Sequence, residues 1–534
     1  MRLPLKLGVA GFLLILLSVI VGFIALNPIV RFGIRQQTAL KRKSEIRNIY
    51  LKLPFPLDFR VYFFNISNPM EVQKGATPIL TEIGPYCYDE FKEKIDVLDN
   101  DAEDSLTYYP YDIYKFNAEK SGKLSDTDYV TILHPALVGM VNQATRDSPA
   151  LLSIVNKAIG PIFRDPESIY LTAKVKDILF DGVELNCKVT EFAAKAVCTQ
   201  IKSQIPGIKS DPEKSIFLFS LLGVKNATVG KSIKVSRGIS NSRDLGKVLE
   251  FDGKKVLKLW YEEQCNHFKG TDGWIIPPLL KPEEGLWSFS ADLCRNVVAE
   301  YVEDSVTKGV KTRRYEATLA DMQNNEEDKC YCPTPKTCLR KGVFDLSKCM
   351  GVPILATLPH FLEADEIYLQ QVKGLNPILD KHIIRIQLEP MTGTPIEARK
   401  RLQFNLPVSA SEKITLMRNV STSLHPIFWI EEGVELDGAL LEKVTEVFTF
   451  LGVFQVFRWL GLLIGFVSIA YAVYHHMKHS RSVHITPISG SSSSDHVDIN
   501  RSTNELVGKM KEVFQSDKGH TNPVMTGHEF DRYS

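Results

Sequence analysis

Nine cysteines lie between Cys87 and Cys349 of the 534-residue chain, and none lies outside that interval. The densest group is Cys330, Cys332, Cys338 and Cys349, with Cys265 and Cys294 upstream. Thiolates this close could hold zinc in a reducing compartment, whereas in an oxidising one they are better read as crosslinks. Cys187 and Cys198 could make a fourth bridge. Nine is odd, so at least one thiol is left over, and Cys87, in a strand-like segment, is the candidate for a buried, inert one.

Little else assembles into a reactive set. No H-E-x-x-H, G-x-S-x-G or G-x-G-x-x-G motif occurs, and the nearest phosphate-loop match, Lys225 to Ser232, has Lys where the first Gly must stand. His134, His267, His360, His382 and His425 are scattered and read as turn or core histidines without metal spacing. An enzyme acting on lipids would need a nucleophile constellation that is missing, so no catalytic residue, cofactor or metal is expected. Lys157 is different. It sits beside an apolar run of Leu151, Leu152, Val155, Ala158 and Ile159, where an ammonium could attract a lipid headgroup or carboxylate. Leu151, Val155 and Lys157 are therefore the candidate ligand contacts, set against the plainer reading of a solvated surface lysine.

The elements that carry these residues begin and end in apolar helices. Leu7 to Leu26 holds twenty residues without a charge, enough at 1.5 Å per residue to cross a hydrocarbon core of about 30 Å. It is longer than a signal-peptide core and no A-x-A-like site closes it. A second run, residues 453–474, is interrupted only by Arg458, where a long cation can snorkel beside Trp459. The expected organisation is a short tail (1–6), a span (7–26), a large domain (27–450), a second span (453–474) and a polar tail (475–534). The basic residues after the second span make the termini cytoplasmic, while those after the first argue the reverse. The domain decides between them. Its cysteines and its three sequons, Asn65, Asn226 and Asn419, favour an extracellular or luminal side, which would leave a fourth sequon at Asn500 silent.

Within that domain, Phe59 to Ser67 and Thr107 to Phe116 read as strands, with Gly84-Pro85 punctuating the strand pair between them. From Ala136 to about Gln200 the pattern turns helical: Ser148-Pro149 opens one helix, and Asp165-Pro166 opens another that ends near Asp181-Gly182. From Ser215 to Val408 short strands return, among them Arg313–Leu319, Ile383–Leu388 and Arg401–Leu406. The fold class is therefore α+β, a large antiparallel sheet or barrel around a helical cluster. In the C-terminal tail, Ser489 to Ser494 is low-complexity, and Ser502 to Phe514 has an amphipathic pattern with a capping box. The balance of 64 basic and 63 acidic residues, a net charge of +1, argues against a nucleic-acid partner.

A dense series of ordered motifs resembles the class B scavenger receptors, and within them the insect sensory neuron membrane proteins. It includes Asn68-Pro69, Glu82-Ile-Gly-Pro-Tyr86, Gly270-Thr-Asp272, Leu293-Cys-Arg295, Cys330-Tyr-Cys332, Leu358-Pro-His-Phe361, Gly374-Leu-Asn-Pro377 and Lys400-Arg-Leu-Gln403. Phe91-Lys-Glu-Lys94 and the Cys187/Cys198 pair look most like the sensory neuron branch; Cys87 and the C-terminal tail depart from the pattern. The resemblance implies a β-barrel-like ectodomain with a helical apex at about 136–200 and an internal tunnel. It implies bridges Cys265 to Cys330, Cys294 to Cys349 and Cys332 to Cys338. It also implies a cell-membrane receptor or co-receptor of olfactory neurons, which passes hydrophobic odorants, pheromones or fatty-acid-like lipids to the membrane or to an odorant-receptor channel. A lipid scavenger or a lysosomal trafficking receptor for a luminal protein is the competing reading, weakened by the lack of a Leu-Leu or Leu-Ile sorting pair in the tail.

Overall fold

The computed structural model describes residues 3–204, 208–211, 216–334 and 336–482. The sequon at Asn500 and the two tail segments named above lie outside them. Two compact units are present, one formed by the chain up to Ile15 with the chain from Leu463, the other by Leu16–Leu462.

Eleven strands form the continuous path of the main sheet. They are β1 (Leu57–Ile66), β2 (Leu80–Asn100), β3 (Ser105–Phe116), β4 (Ile233–Ser236), β5 (Val248–Phe251), β6 (Leu286–Ser290), β7 (Arg295–Thr307), β8 (Val310–Ala317), β9 (Ile384–Leu388), β10 (Pro395–Val408) and β11 (Ser423–Glu435). Their spatial order is β5-β4-β3-β2-β1-β11-β10-β9-β8-β7-β6. Every neighbour is thus the next strand in sequence except one: β1 pairs β11, from Asp58 opposite Gly433 to Phe63 opposite Phe428. Two short strands, Phe344–Asp345 and Leu355–Thr357, fringe β10.

The two edges, β5 and β6, are joined by residues 270–272. Val248 N–H donates to Gly270 O (3.0 Å) and Asp272 N–H to Gly246 O (3.1 Å); on the other side Thr271 N–H donates to Trp287 O (3.0 Å) and Phe289 N–H to Thr271 O (2.8 Å). Backbone groups that would be bare at two sheet edges are thereby paired. Gly270 is required here: its φ is +84° and a Cβ would stand 2.0 Å from Trp287 O.

Between β3 and β4 the chain forms a smaller cluster of helices α1 (Pro135–Asp147), α2 (Leu152–Phe163) and α3 (Phe192–Gln204), with paired strands Tyr129–Leu133 and Tyr170–Lys174. Pro135 and Pro149 sit in first turns, where a missing N–H is harmless. The helix expected after Asp165-Pro166 is instead the strand Tyr170–Lys174 followed by one π-turn, Asp177–Asp181. The start signal is genuine, but Tyr-Leu-Thr has β propensity and finds a partner in the Tyr129–Leu133 strand. Gly84-Pro85 also behaves differently from the expectation: it lies inside one unbroken strand, β2, where the pairing register with β1 shifts between Val61 and Phe63.

Among the described residues, two helices are long and apolar enough to cross a membrane. One runs Leu3–Thr38 and contains the expected span 7–26; the other, from Gly438, contains 453–474. They meet at small residues. A Cβ on Gly11 would lie 2.8 Å from Gly465 O, and one on Gly461 would strike the Ser18 hydroxyl. Arg458 lies over Phe23 (4.2 Å) and Trp459 (5.4 Å) and donates to Gly22 O (3.2 Å), while its Nε is buried without a partner among the described residues.

Candidate functional site

Strand alternation decides what faces the barrel interior. Tyr86 and Tyr88 of β2 are buried in the main core, so the same face carries Glu90, Lys92 and Lys94 two, four and six positions beyond Tyr88. The usual polarity is inverted. Phe91 is 39% exposed while Glu90, next to it, is 1% exposed. On β3 the matching positions are Tyr108, Asp112 and Tyr114; β10 supplies Lys400 and β11 Glu432, which stand opposite each other.

These side chains build a layered interior. One layer is aromatic: Phe59 packs on Tyr114 (4.9 Å), and Phe180, from the helical cluster, packs on Tyr88 (5.0 Å) and Tyr114 (5.4 Å). Beside it runs a charged belt. Lys92 reaches Glu90 (2.8 Å), Asp112 (3.4 Å) and Glu432 (3.7 Å); Lys400 reaches Glu432 (3.9 Å); Lys225 pairs with Asp292. Solvent-sized space adjoins the belt, because the Asp292, Lys400 and Lys225 side chains remain 69%, 45% and 37% accessible.

At the centre stands Trp274. Lys400, Lys92 and Lys94 approach its ring at 4.8, 4.9 and 5.0 Å. Lys94 also lies 4.0 Å from the Tyr50 ring and 5.2 Å from that of Tyr108, and its ammonium donates to Tyr50 O (2.8 Å). Asp272, in the segment that closes the barrel, holds this corner together. It accepts from the phenols of Tyr50 and Tyr108 (2.7 Å for the latter) and from Trp274 N–H (3.1 Å).

Burial and neighbouring charge shift these groups in opposite senses. Burial pushes Glu90 up to about 7, with Lys92 opposing. Burial also pushes Lys94 down to about 8, assisted by the Lys92 and Lys400 ammoniums and resisted by Asp272 and Asp112. Lys92 goes the other way: burial alone would depress it, but Glu432 and Glu90 raise it well above an ordinary lysine. Tyr50 and Tyr108 are raised by burial and by Asp272.

The residues singled out in the sequence fall elsewhere. Val155 is buried at 6% in α2, Leu151 is exposed at 48% just before it, and Lys157 is exposed. Two residues along a helix turn by about 200°, so Lys157 points away from the side that carries Val155. The structure does not gather the three into one pocket. Disulfides link Cys187 to Cys198, Cys265 to Cys330, Cys294 to Cys349 and Cys332 to Cys338. Cys87 is a buried free thiol in β2, raised by burial. A separate cleft of about 610 Å³, lined by Trp287, Arg295, Tyr301 and Glu316 among others, includes none of the belt lysines. Lys92, Lys94, Asp272 and Trp274 were the residues missed. For the two lysines the signal was present, since Glu90, Lys92 and Lys94 continue the period-two series begun by Tyr86 and Tyr88.

Comparison with known proteins agrees with this architecture. Residues 9–476 match the model of the CD36 family. Sensory neuron membrane protein 1 of Apis mellifera is 41% identical over 463 residues, covering 86% of this chain and 89% of that protein. Its namesakes in Heliothis virescens (41% identical; 88% and 91% covered) and Ostrinia nubilalis (39%; 89% and 90%) are similar throughout. With a match that spans both terminal helices and the whole barrel, the chain belongs to the CD36 family, the class B scavenger receptors.

Proposed function

We propose that this protein is a cell-surface receptor or co-receptor of insect chemosensory neurons. It takes up hydrophobic odorants, lipid pheromones or fatty-acid-like lipids and passes them through the barrel interior to the membrane or to an odorant-receptor channel. The observation that carries this reading is similarity, over most of both chains, to proteins named for the sensory neuron membrane. The interior supports it, since an aromatic layer recovers about 0.8 kcal/mol per buried CH₂ of an apolar ligand. The protein works here as a carrier, not as an enzyme. Ligand enters beside the helical cluster that carries Leu151, Val155 and Lys157.

In this reading both termini are cytoplasmic and the barrel is extracellular. Four disulfides belong in an oxidising compartment. Asn419 is exposed, whereas the side-chain oxygens of Asn65 and Asn226 accept from Thr131 N–H (2.7 Å) and Tyr114 N–H (3.1 Å). Glycan occupancy is therefore expected to be highest at Asn419.

The test is glycosidase digestion of the full chain from insect cells, followed by displacement of a fluorescent lipid by a long-chain acetate. Glycans with saturable displacement support the reading. Glycans without displacement defeat the ligand role, and absence of glycans defeats the topology.

A further inference from the structure

The belt lysines are not equivalent. Lys92, Lys225 and Lys400 each have a carboxylate partner, and Lys92 has three. Among the described residues Lys94 has none. Its nitrogen meets one backbone carbonyl and three aromatic rings, with two further ammoniums around the same indole. An amine in an apolar enclosure beside other cations is the arrangement that makes a lysine nucleophilic, because both features favour the uncharged form.

We propose that Lys94 is a reversible Schiff-base site for long-chain apolar aldehydes, held inside the barrel by Trp274, Tyr50 and Tyr108. This rests on the reading of the interior as a receptacle for apolar ligands and names a class among them. The amine lone pair adds to the carbonyl carbon and forms the C–N bond. Both amine protons then leave with the carbonyl oxygen as water, and C=N replaces C=O. Hydration runs the step backwards, and no oxidant or reductant takes part. The cationic neighbours, Lys92 and Lys400, disfavour a positive charge at this nitrogen and so favour the neutral imine over the iminium; Asp272 and Asp112 act in the opposite sense.

The rings of Tyr50, Tyr108 and Trp274 give the first carbons of such a molecule apolar contact. Along β2, Lys94 lies six positions from Tyr88, about 20 Å at roughly 3.4 Å per residue. Glu90 and Lys92 stand between the two on the same face, so the chain of an aldehyde held at Lys94 passes the charged belt before it meets the aromatic layer of Tyr88, Tyr114 and Phe59. With Lys94 lowered to about 8, on the order of a fifth of the amine is neutral near pH 7.4, against on the order of a thousandth for an ordinary lysine.

The experiment uses the full chain in lipid nanodiscs, incubated with hexadecanal near neutral pH and reduced with cyanoborohydride before peptide mass mapping. The expected result is alkylation concentrated at Lys94, with an initial rate about tenfold or more above that of exposed lysines such as Lys157. Lys94→Arg removes that adduct. Wild-type mapping decides the matter even where the variant fails to fold: an unmodified Lys94, or labelling spread evenly over all lysines, overturns the proposal. Hexadecyl acetate, which cannot form an imine, keeps the two readings apart. If it binds while Lys94 stays unmodified, the Schiff-base site falls and the ligand reading stands. If it does not bind, the ligand reading falls, and labelling at Lys94 still decides this one.

Discussion

The same strands carry charge on both faces and treat it differently. On the face away from the interior, Glu431 accepts from Arg401 (2.7 Å) and Arg60 (3.2 Å), and Arg401 and Glu431 are only 9% and 5% exposed. Arg401 donates in addition to Ile383 O. On the adjacent position of each strand, Lys400 and Glu432 point inward, where space remains and Lys94 has no counter-ion among the described residues. A charge locked by several partners fixes strand registry; one left incompletely paired beside accessible space keeps its chemistry available.

Removing a charge should therefore cost most on the locked face. Glu431→Gln is expected to lose about 3–5 kcal/mol, since it strands buried arginine, and the double change Arg401→Met with Glu431→Leu should recover much of that. Denaturant midpoints of the detergent-solubilised chain test this, and an effect no larger than that of Glu432→Gln would erase the contrast between the faces.

Next come two opposed pH dependences. Glu90 is raised from its ordinary value to about 7, so the unfolded chain ionises it first, and its cost to stability appears as pH rises from about 4.5 to about 7. Glu90→Gln should thus gain relative stability, about 1–3 kcal/mol, on going from acid to neutral pH. On the other face His382, stacked on His360 at 4.4 Å, is lowered to about 4 by burial, assisted by His360. The unfolded chain then takes up the proton first, and stability is lost as pH falls from about 6.5 to about 4. His382→Asn should flatten that decline by about 1–3 kcal/mol. Melting temperatures across pH 4 to 8 would show the two slopes, and slopes of the same sign would break the comparison. The smallest effect belongs to the helical cluster: Lys157→Ala should change stability by less than about 0.5 kcal/mol, because the residue is exposed. A larger loss would mean that Lys157 is held by contacts in the fold.

The α+β class, the apolar terminal helices and most strands could be read from local pattern because hydrophobic period and turn residues are local properties. The helix expected after Asp165-Pro166 failed for the complementary reason: residues 170–174 are strand because a partner forty positions upstream pairs with them. The interior belt needs longer range still. Lys94, Tyr50, Tyr108 and Trp274 meet only when the meander closes through residues 270–272. Gly270-Thr-Asp272 was visible as a motif, but its physical task, pairing two sheet edges while Asp272 gathers two phenols, exists only in the folded barrel.

Pairing between β1 and β11 also sets a timetable for biosynthesis. Asp58 pairs with Gly433, 375 positions further on. At translation rates of about 5–20 residues per second, the first strand waits on the order of 20–75 s after emerging before its second neighbour exists. Throughout that interval β1 has β2 on one side and an open edge on the other. A nascent chain halted in this window is expected to be the form most prone to pairing wrongly with another copy. Chaperone engagement during synthesis should therefore concentrate on β1 and end only when the strand immediately preceding the second long helix has emerged.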